Sequence, residues 1–298
     1  MTSSLEALSH ALSTVVTQAS DAVVSVIGRR SAGTGIHWRN GLIVTSCEAL
    51  NSSDGLTLGL PNGRTIVTEL LGSDPSTDVA VLALPEGADV SVASIGDSQT
   101  LALGQLVSTV GRTARRGLFT SLGMISQISG PWRSQSGGQL GQYIEVNLNL
   151  YRGSAGCPLI NASGQVVGFN TFGPRRKVLA IPATTINQVV EQLQQRGKIA
   201  RGYLGLGMQA VPLPEPTRQQ HDLSNEAGII VISVEAGSAA DQAGILLGDV
   251  MVAIADSPLE SLQQIQALLG PQSVGQSLAI KLLRGGQVHT VTVTVGER

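Results

Sequence analysis

Few side chains in this sequence could do chemistry, and the most conspicuous group is basic. Sixteen of the nineteen basic residues are Arg, whose planar fork suits bidentate contact with carboxylate or phosphate. Residues 98–190 carry eight basic side chains and a single acid, Glu145, for a net charge of +7. Residues 1–97 carry −6 and residues 191–298 carry −3. An anionic ligand, such as an acidic peptide or nucleic acid, would therefore meet the middle third, at Arg112, Arg115, Arg116, Arg152, Arg175, Arg176 and Lys177. A solvated set of basic loops is the plain alternative. The whole chain is −2 with only eight aromatic residues, which disfavours nucleic acid as the partner. Cys47 and Cys157 are too few for a disulfide framework or a four-thiolate zinc site, and reduced thiols are expected. His10, His37, His221 and His289 are scattered, and no metal or cofactor is expected.

The elements that must position these groups are mostly strands. At 298 residues, with 42% hydrophobic residues, 13% charged residues and 36 Gly, the chain suits a turn-rich β protein of one large or two ordinary domains. Residues 3–19 read as an amphipathic helix. Ser3 and Glu6 have capping-box spacing, and Leu5, Leu8, Leu12 and Val15 recur at helical intervals. From Asp21 onward, short apolar runs such as GLIVTS, DVAVLAL and YIEVNLNL alternate with Gly, Asn, Asp and Pro, the pattern of an all-β sandwich or barrel pair. TTINQVVEQLQQRG (184–197) is a closing helix with Gly197 as its stop. The expected organisation is a helical segment 1–20, a β-rich domain 21–200 in halves of about 21–97 and 98–183, and a separate β-rich unit 201–298 with short helices. No apolar run is long enough to span a bilayer, and no membrane partner is expected. The first residues lack a basic start and a continuous apolar stretch, so a cytoplasmic location is expected, or a periplasmic one if the N-terminus has been trimmed.

GTGIHWRNGLIVTSCEAL (33–50), DPSTDVAVLAL (74–84) and YRGSAGCPLINASGQVVGFNT (151–171), in that order, resemble the HtrA/Deg family of trypsin-like serine proteases with a C-terminal PDZ domain. VLAIPATTINQVVEQLQQRGKIARGYLGLGM resembles the junction into the PDZ domain, and SAADQAGILLGDVMVAIADSPL (238–259) resembles the PDZ core. The resemblance covers nearly the whole chain from residue 21. It implies two six-stranded β-barrels followed by a PDZ domain.

The resemblance also assigns positions. The acid of the protease triad falls on Asp78, the base on Glu48 and the nucleophile on Ala155, with Gly153 and Ser154 in the oxyanion loop. Ala155 has no lone pair to attack with, and a carboxylate with an ordinary pKa of about 4.3 is a poor acceptor of a hydroxyl proton at neutral pH. The expectation is therefore a catalytically inactive member, not an enzyme, acting as a peptide- or protein-binding scaffold or regulator. Two alternatives stay open: a serine endopeptidase of this family whose nucleophile was replaced by Ala155, and a binder of anions through the Arg-rich loops. An Arg from those loops is expected to pair with Glu48.

In the PDZ region the resemblance implies that a peptide adds as a strand between a sheet edge and a helix. The loop Arg201-Gly202-Tyr203-Leu204-Gly205-Leu206 matches the one whose backbone N–H groups hold a terminal carboxylate. Leu204, Leu206 and Met208 would start the receiving strand, and Leu262, Ile265 and Leu269 would form a groove-facing stripe. The expected partners are apolar C-termini or unfolded segments of other proteins. Family members form trimers through aromatic residues near the N-terminus. The first 37 residues here contain none, so a homo-oligomer would need another surface.

Overall fold

Runs of β-branched residues form strands because they fill a pleated, half-buried surface, and the Gly, Asn and Asp between them close the turns. A computed structural model describes residues 4–29, 31–50, 54–114, 117–134, 136–151, 153–196, 199, 202–255, 257–270 and 273–297. The chain divides into two units, residues 1–199 and 200–298.

In the first unit, helix α1 (Ser4–Ser20) leads into β1 (Val23–Ile27), β2 (Ala32–Arg39), β3 (Leu42–Ser46), β4 (Thr57–Gly59), β5 (Thr65–Val67), β6 (Leu70–Asp74) and β7 (Val79–Ala83). These strands form a seven-stranded sheet in the order β5-β4-β1-β2-β3-β7-β6. The second half holds β8 (Leu106–Thr113), β9 (Gly117–Ser129), the short pair β10 (Trp132–Arg133) and β11 (Gln139–Leu140), then β12 (Tyr143–Val146), β13 (Cys157–Asn161), β14 (Val166–Phe172) and β15 (Val178–Pro182). Six of these close a barrel, β12-β15-β14-β13-β8-β9. Helix α2 (Ala183–Arg196) follows. The helix expected over 184–197 is thus present, and its proposed stop, Gly197, lies outside the described residues, as does Ser3 of the proposed first cap.

The two halves of this unit share one apolar cluster. Ile36, Trp38, Val44 and Val81 meet Val110, Ile160, Phe169 and Ile181, and Val189, Val190 and Leu193 of α2 close over them. Each fully buried large side chain contributes about 1.5–3 kcal/mol. The Trp38 indole N–H donates to Asn187 Oδ1 at 2.9 Å, so the polar tip of a fully buried ring is satisfied by α2. His37 is also buried, and its Nδ1–H donates to the carbonyls of Val90 and Ser91 at 2.9 and 3.1 Å.

In the second unit, β16 (Gly202–Tyr203), β17 (Leu206–Pro212), helix α3 (Glu215–His221), β18 (Ala227–Val234), helix α4 (Ala239–Gln242), β19 (Val250–Ile254), β20 (Ser257–Pro258), helix α5 (Leu262–Leu268), β21 (Ser277–Arg284), β22 (Gln287–Thr294) and β23 (Gly296–Glu297) follow in order. The main sheet runs β17-β18-β19-β21-β22, with β17 at one edge. Beneath it Ile229, Val231, Met251, Ile254, Ile280 and Leu282 form a core. Asp249 ties the end of β21 to the turn before β19. Its carboxylate accepts Arg284 Nε and Nη2 at 2.8 and 2.7 Å and the Leu246 N–H at 2.8 Å.

Candidate functional site

Asp78 owes its place to the turn before it. The Asp74 carboxylate accepts the Ser76 N–H and hydroxyl on Oδ1 and the Thr77 hydroxyl on Oδ2, at 3.0, 2.7 and 2.9 Å. This Asx-type turn closes the DPSTD segment. It delivers Asp78 in a left-handed conformation with φ 62°, and the Cys47 N–H donates to the Asp78 carbonyl at 3.1 Å. The Asp78 carboxylate then receives hydroxyl and backbone donors, the Cys47 N–H among them. Ser46 Oγ and Thr171 Oγ1 donate to Oδ2 at 2.7 and 2.6 Å, and the Glu48 N–H donates to Oδ1 at 3.1 Å. Burial still dominates, pushing Asp78 above the ordinary carboxylate range against the lowering effect of those donors.

Glu48 sits in a single helical turn, Cys47–Ala49, at the end of β3, where the Ser46 side chain accepts its N–H. Partial burial first, and the Asp78 charge second, push the Glu48 carboxyl up. Among the described residues no Arg pairs with Glu48, so the expected ion pair is not formed there. Its immediate charged neighbour is instead a like charge.

The third position is set by a tight loop. The Ser154 N–H donates to the Tyr151 carbonyl, and the Tyr151 N–H donates to Ser154 Oγ, both at 2.9 Å. The Thr34 N–H of β2 donates to the Ala155 carbonyl at 3.1 Å, and the Gly156 N–H donates to the Asn170 carbonyl at 3.1 Å. Gly156 has φ +84°, and a Cβ there would stand 2.2 Å from the Thr34 carbonyl and 3.0 Å from Ser46 N. Only glycine fits, and this contact lays the 153–156 loop against the strand end that carries Ser46 and Glu48. Ala155 is buried. Among the described residues the N–H groups of Gly153 and Ala155 have no hydrogen-bond acceptor, which leaves two donors of the kind an oxyanion loop uses.

Both cysteines are free. Cys47 is pushed up to about 12 by burial, then by the charges of Asp78 and Asp74. Burial likewise pushes Cys157 up to about 12, against hydroxyl contacts from Thr34 and Thr109. Neither is a thiolate nucleophile at neutral pH. Among the described residues no group of three or more His, Cys, Asp or Glu could hold a metal ion.

The basic residues serve local roles where they are described. Arg112 donates through Nε to the Val23 carbonyl at 2.8 Å and through Nη2 to the Ser20 carbonyl at 3.2 Å. It thereby caps the C-terminus of α1, where the helix dipole favours a cation. Burial lowers its pKa, and Asp21 opposes that shift. Lys177 pairs with Glu145 at 2.7 Å, and the Tyr143 hydroxyl donates to the same carboxylate oxygen at 2.9 Å. Arg176 is exposed with φ 60°. Arg115, Arg116, Arg152 and the side chain of Arg175 lie outside the described residues.

In the second unit Arg201 lies outside the described residues. Gly205 has φ +80°, and a Cβ there would stand 2.1 Å from Ser238 Cβ. Its carbonyl accepts the Glu235 N–H at 2.9 Å, and the Tyr203 hydroxyl donates to Glu235 Oε2 at 2.5 Å. Leu206 and Met208 are half-buried on the edge strand β17. Leu204 and Ile265 are buried members of the core, and Leu269 packs partly against it. Leu262 opens α5 with 36% exposure, and Ser261 and Gln264 cap that helix reciprocally.

A seven-stranded sheet and a closed six-stranded barrel joined by a shared apolar cluster, followed by a sheet-and-helix unit with an open edge strand, define a trypsin-like domain joined to a PDZ domain. Family models agree: residues 33–169 match the trypsin-like peptidase domain and residues 202–295 the PDZ domain. The chain belongs to the HtrA/Deg family. It is 29% identical over 276 residues to a probable periplasmic serine endoprotease, DegP-like, of Halomonas elongata, covering 90% of this chain and 57% of the relative. It is 31% identical over 272 residues to the serine protease Do-like HtrB of Bacillus subtilis, covering 85% of this chain and 58% of that protein. Among solved structures it resembles the HtrA-type protease AlgW with tripeptide, at 26% identity and TM-score 0.69, over 96% of this chain and 97% of that one. The chain thus spans a little over half the length of the curated relatives it matches.

These relatives overturn the expectation that the chain is not an enzyme, since proteins matched over 85–90% of it are named serine endoproteases or serine proteases. That expectation rested on two side chains, Glu48 and Ala155. The frame around them has a physical basis of its own, in the braced Asp78 carboxylate and the glycine-shaped 153–156 loop. The cytoplasmic expectation finds no support, because relatives carry the word periplasmic in their names. No described helix is long and apolar enough to cross a membrane.

Sequence reasoning did not find Ser46, Thr171, Asn170 or Asp74. Asn170 braces the loop, with Nδ2 donating to Thr109 Oγ1 and to the Cys157 carbonyl at 3.1 and 3.2 Å. The available signal was the hydroxyl or amide at each strand end, in TSCE, in DPSTD and in GFNT.

Proposed function

We propose that the chain is a peptide-capturing member of the HtrA/Deg family, taking apolar C-termini of other proteins at the β17 edge of its PDZ unit. The observation that carries this reading is the left-handed Gly205 turn directly before an unpaired strand edge. Glycine lets this turn pack closely on Ser238; a terminal carboxylate would meet the backbone N–H groups at the start of the edge strand, with Leu206, Met208 and Leu262 supplying apolar surface beside it. The structure of the HtrA-type protease AlgW with tripeptide supports peptide binding. Leu204 and Ile265 act from below as core, whereas Leu262 meets the ligand directly.

The test is fluorescence anisotropy with a labelled decapeptide ending in two apolar residues. Binding should need the free carboxylate, so the amidated peptide should bind at least about tenfold more weakly, about 1.4 kcal/mol. Leu262→Asp and Met208→Asp should each weaken binding by a similar factor. Equal affinity for the amidated peptide would refute the carboxylate-anchored mode.

A second reading is favoured by the relatives' names and by the Asp78 network. The trypsin-like unit is a serine-endopeptidase frame, and casein cleavage is to be compared in the parent, in Ala155→Ser and in Ala155→Ser/Glu48→His, with the double variant expected to exceed the parent. Cleavage by the single Ala155→Ser variant would show that Glu48 suffices as the base.

A further inference from the structure

The two oxygens of Asp78 are not used alike. Oδ2 accepts two hydroxyls, Ser46 at 2.7 Å and Thr171 at 2.6 Å, whereas Oδ1 accepts the Glu48 N–H at 3.1 Å, and the Cys47 N–H also acts on the carboxylate. A carboxylate oxygen offers two in-plane lone-pair directions, so Oδ2 is full. Both donors are buried. Ser46 is held twice, since its oxygen also accepts the Glu48 N–H at 3.1 Å while its hydrogen goes to Asp78. It therefore couples the carboxylate to the very turn that presents residue 48.

In an acid–base–nucleophile relay the acid acts by accepting a ring N–H from the base, which fixes the ring's tautomer and orientation. Backbone N–H groups of residues 47 and 48 already serve the rest of the carboxylate.

We propose that Ser46 is a positioning residue for Asp78, occupying the acceptor site that a base at position 48 would need. The proposal rests on the placement of the triad positions at 48, 78 and 155. Its consequence is specific. Glu48→His with Ala155→Ser supplies a base and a nucleophile but leaves the imidazole without its orienting acid. Ser46→Ala frees that acid.

The experiment measures the rate at which a fluorophosphonate probe labels residue 155 in full-length protein. Glu48→His/Ala155→Ser should label slowly. Adding Ser46→Ala should raise the rate about tenfold or more, since orientation of the base is worth that much and more in such sites. Adding Thr171→Val instead should give no such gain, because Thr171 braces the carboxylate from the opposite strand. An unchanged or lower rate in the Ser46→Ala variant, with circular dichroism showing a native fold, would overturn the proposal.

The second measurement is an NMR titration of the imidazole at position 48. The Asp78 charge already acts on residue 48, so Asp78→Asn should lower the imidazole midpoint in Glu48→His. Adding Ser46→Ala should enlarge that drop, because the ring N–H then also reaches the carboxylate. Equal drops with and without Ser46→Ala would overturn the proposal. If no variant labels, the triad placement fails, while the titration still decides on Ser46.

Discussion

Each unit of the chain contains an aspartate that the sequence places just before a strand, and the two are held in opposite ways. Asp249, before β19, is 1% exposed and grips the Arg284 guanidinium through two bonds. Burial pushes its pKa up, but Arg284 and the Leu246 N–H more than offset this and hold the carboxyl below its usual range. Asp78, before β7, is surrounded by neutral donors only. Hydroxyls and a backbone N–H do not supply the charge that burial removes, so its carboxyl sits above the usual range. The difference teaches what each is for. An aspartate neutralised by an arginine is a rivet. An aspartate kept short of a counter-charge favours a positive charge brought to it, the property that the proposed acid position needs.

The largest expected effect lies on the rivet. Arg284→Ala would leave a buried carboxylate uncompensated, at a cost of about 3 kcal/mol. Hydrogen exchange of the β19 and β21 amides in the full chain should accelerate accordingly, while exchange in β3 and β7 stays unchanged. Acceleration in both units alike would mean that the pair does not act locally.

Next comes Thr171→Val, which removes one hydroxyl from Asp78 without changing shape much. Leaving a carboxylate short of one donor costs about 1–3 kcal/mol. Trp38 and Trp132 are the only tryptophans and both lie in the first unit. Urea unfolding followed by their fluorescence should therefore show a lower midpoint at unchanged slope. A midpoint equal to the parent's would show that Ser46 and the backbone N–H groups of Cys47 and Glu48 alone satisfy the carboxylate.

The two aspartates also mark where the sequence was legible. The strands, the closing helix and the order of the three protease-like segments could be read because Gly and Asp at fixed offsets impose turns that few other residues tolerate. The 153–156 loop could be read from its glycines, and Gly156 is required by a carbonyl 2.2 Å from where a Cβ would be. The donors to Asp78 were not readable. Ser46 and Thr171 are 125 residues apart and meet only because β3 and β14 both end at the same carboxylate. Charge count groups Arg112 with anion ligands, yet the carbonyls of Ser20, at the end of α1, and Val23, at the start of β1, claim it. Ile265 belongs to the stripe expected to face a groove, but on a short helix beside a sheet that position fills the core, as does Leu204 in the loop ahead of β17. The reading of the chain as other than an enzyme failed for a different reason. It weighed side-chain identity at two positions above kinship along the whole chain.

The smallest effect is the sharpest test of the comparison, because its sign differs between the units. The folded-state pKa of Asp78 is raised above the ordinary value of 3.8. Its contribution to stability is therefore full below that value and is lost as pH rises through the folded pKa. The folded-state pKa of Asp249 is depressed below 3.8. Its contribution is present above that value and is lost as pH falls through the folded pKa. Glu48 is raised in part by the Asp78 charge, so it follows Asp78 in sign. Asp78→Asn and Asp249→Asn each remove one titration and leave a pH-independent offset. Exchange protection of β7 amides, parent minus Asp78→Asn, should fall as pH rises from about 3 to 7, by about 1.4 kcal/mol per unit of pKa shift. Protection of β19 amides, parent minus Asp249→Asn, should rise over the same range. Two slopes of the same sign would mean that the hydroxyl donors at Asp78 do the work of a cation, and the distinction between rivet and poised acid would fall with them.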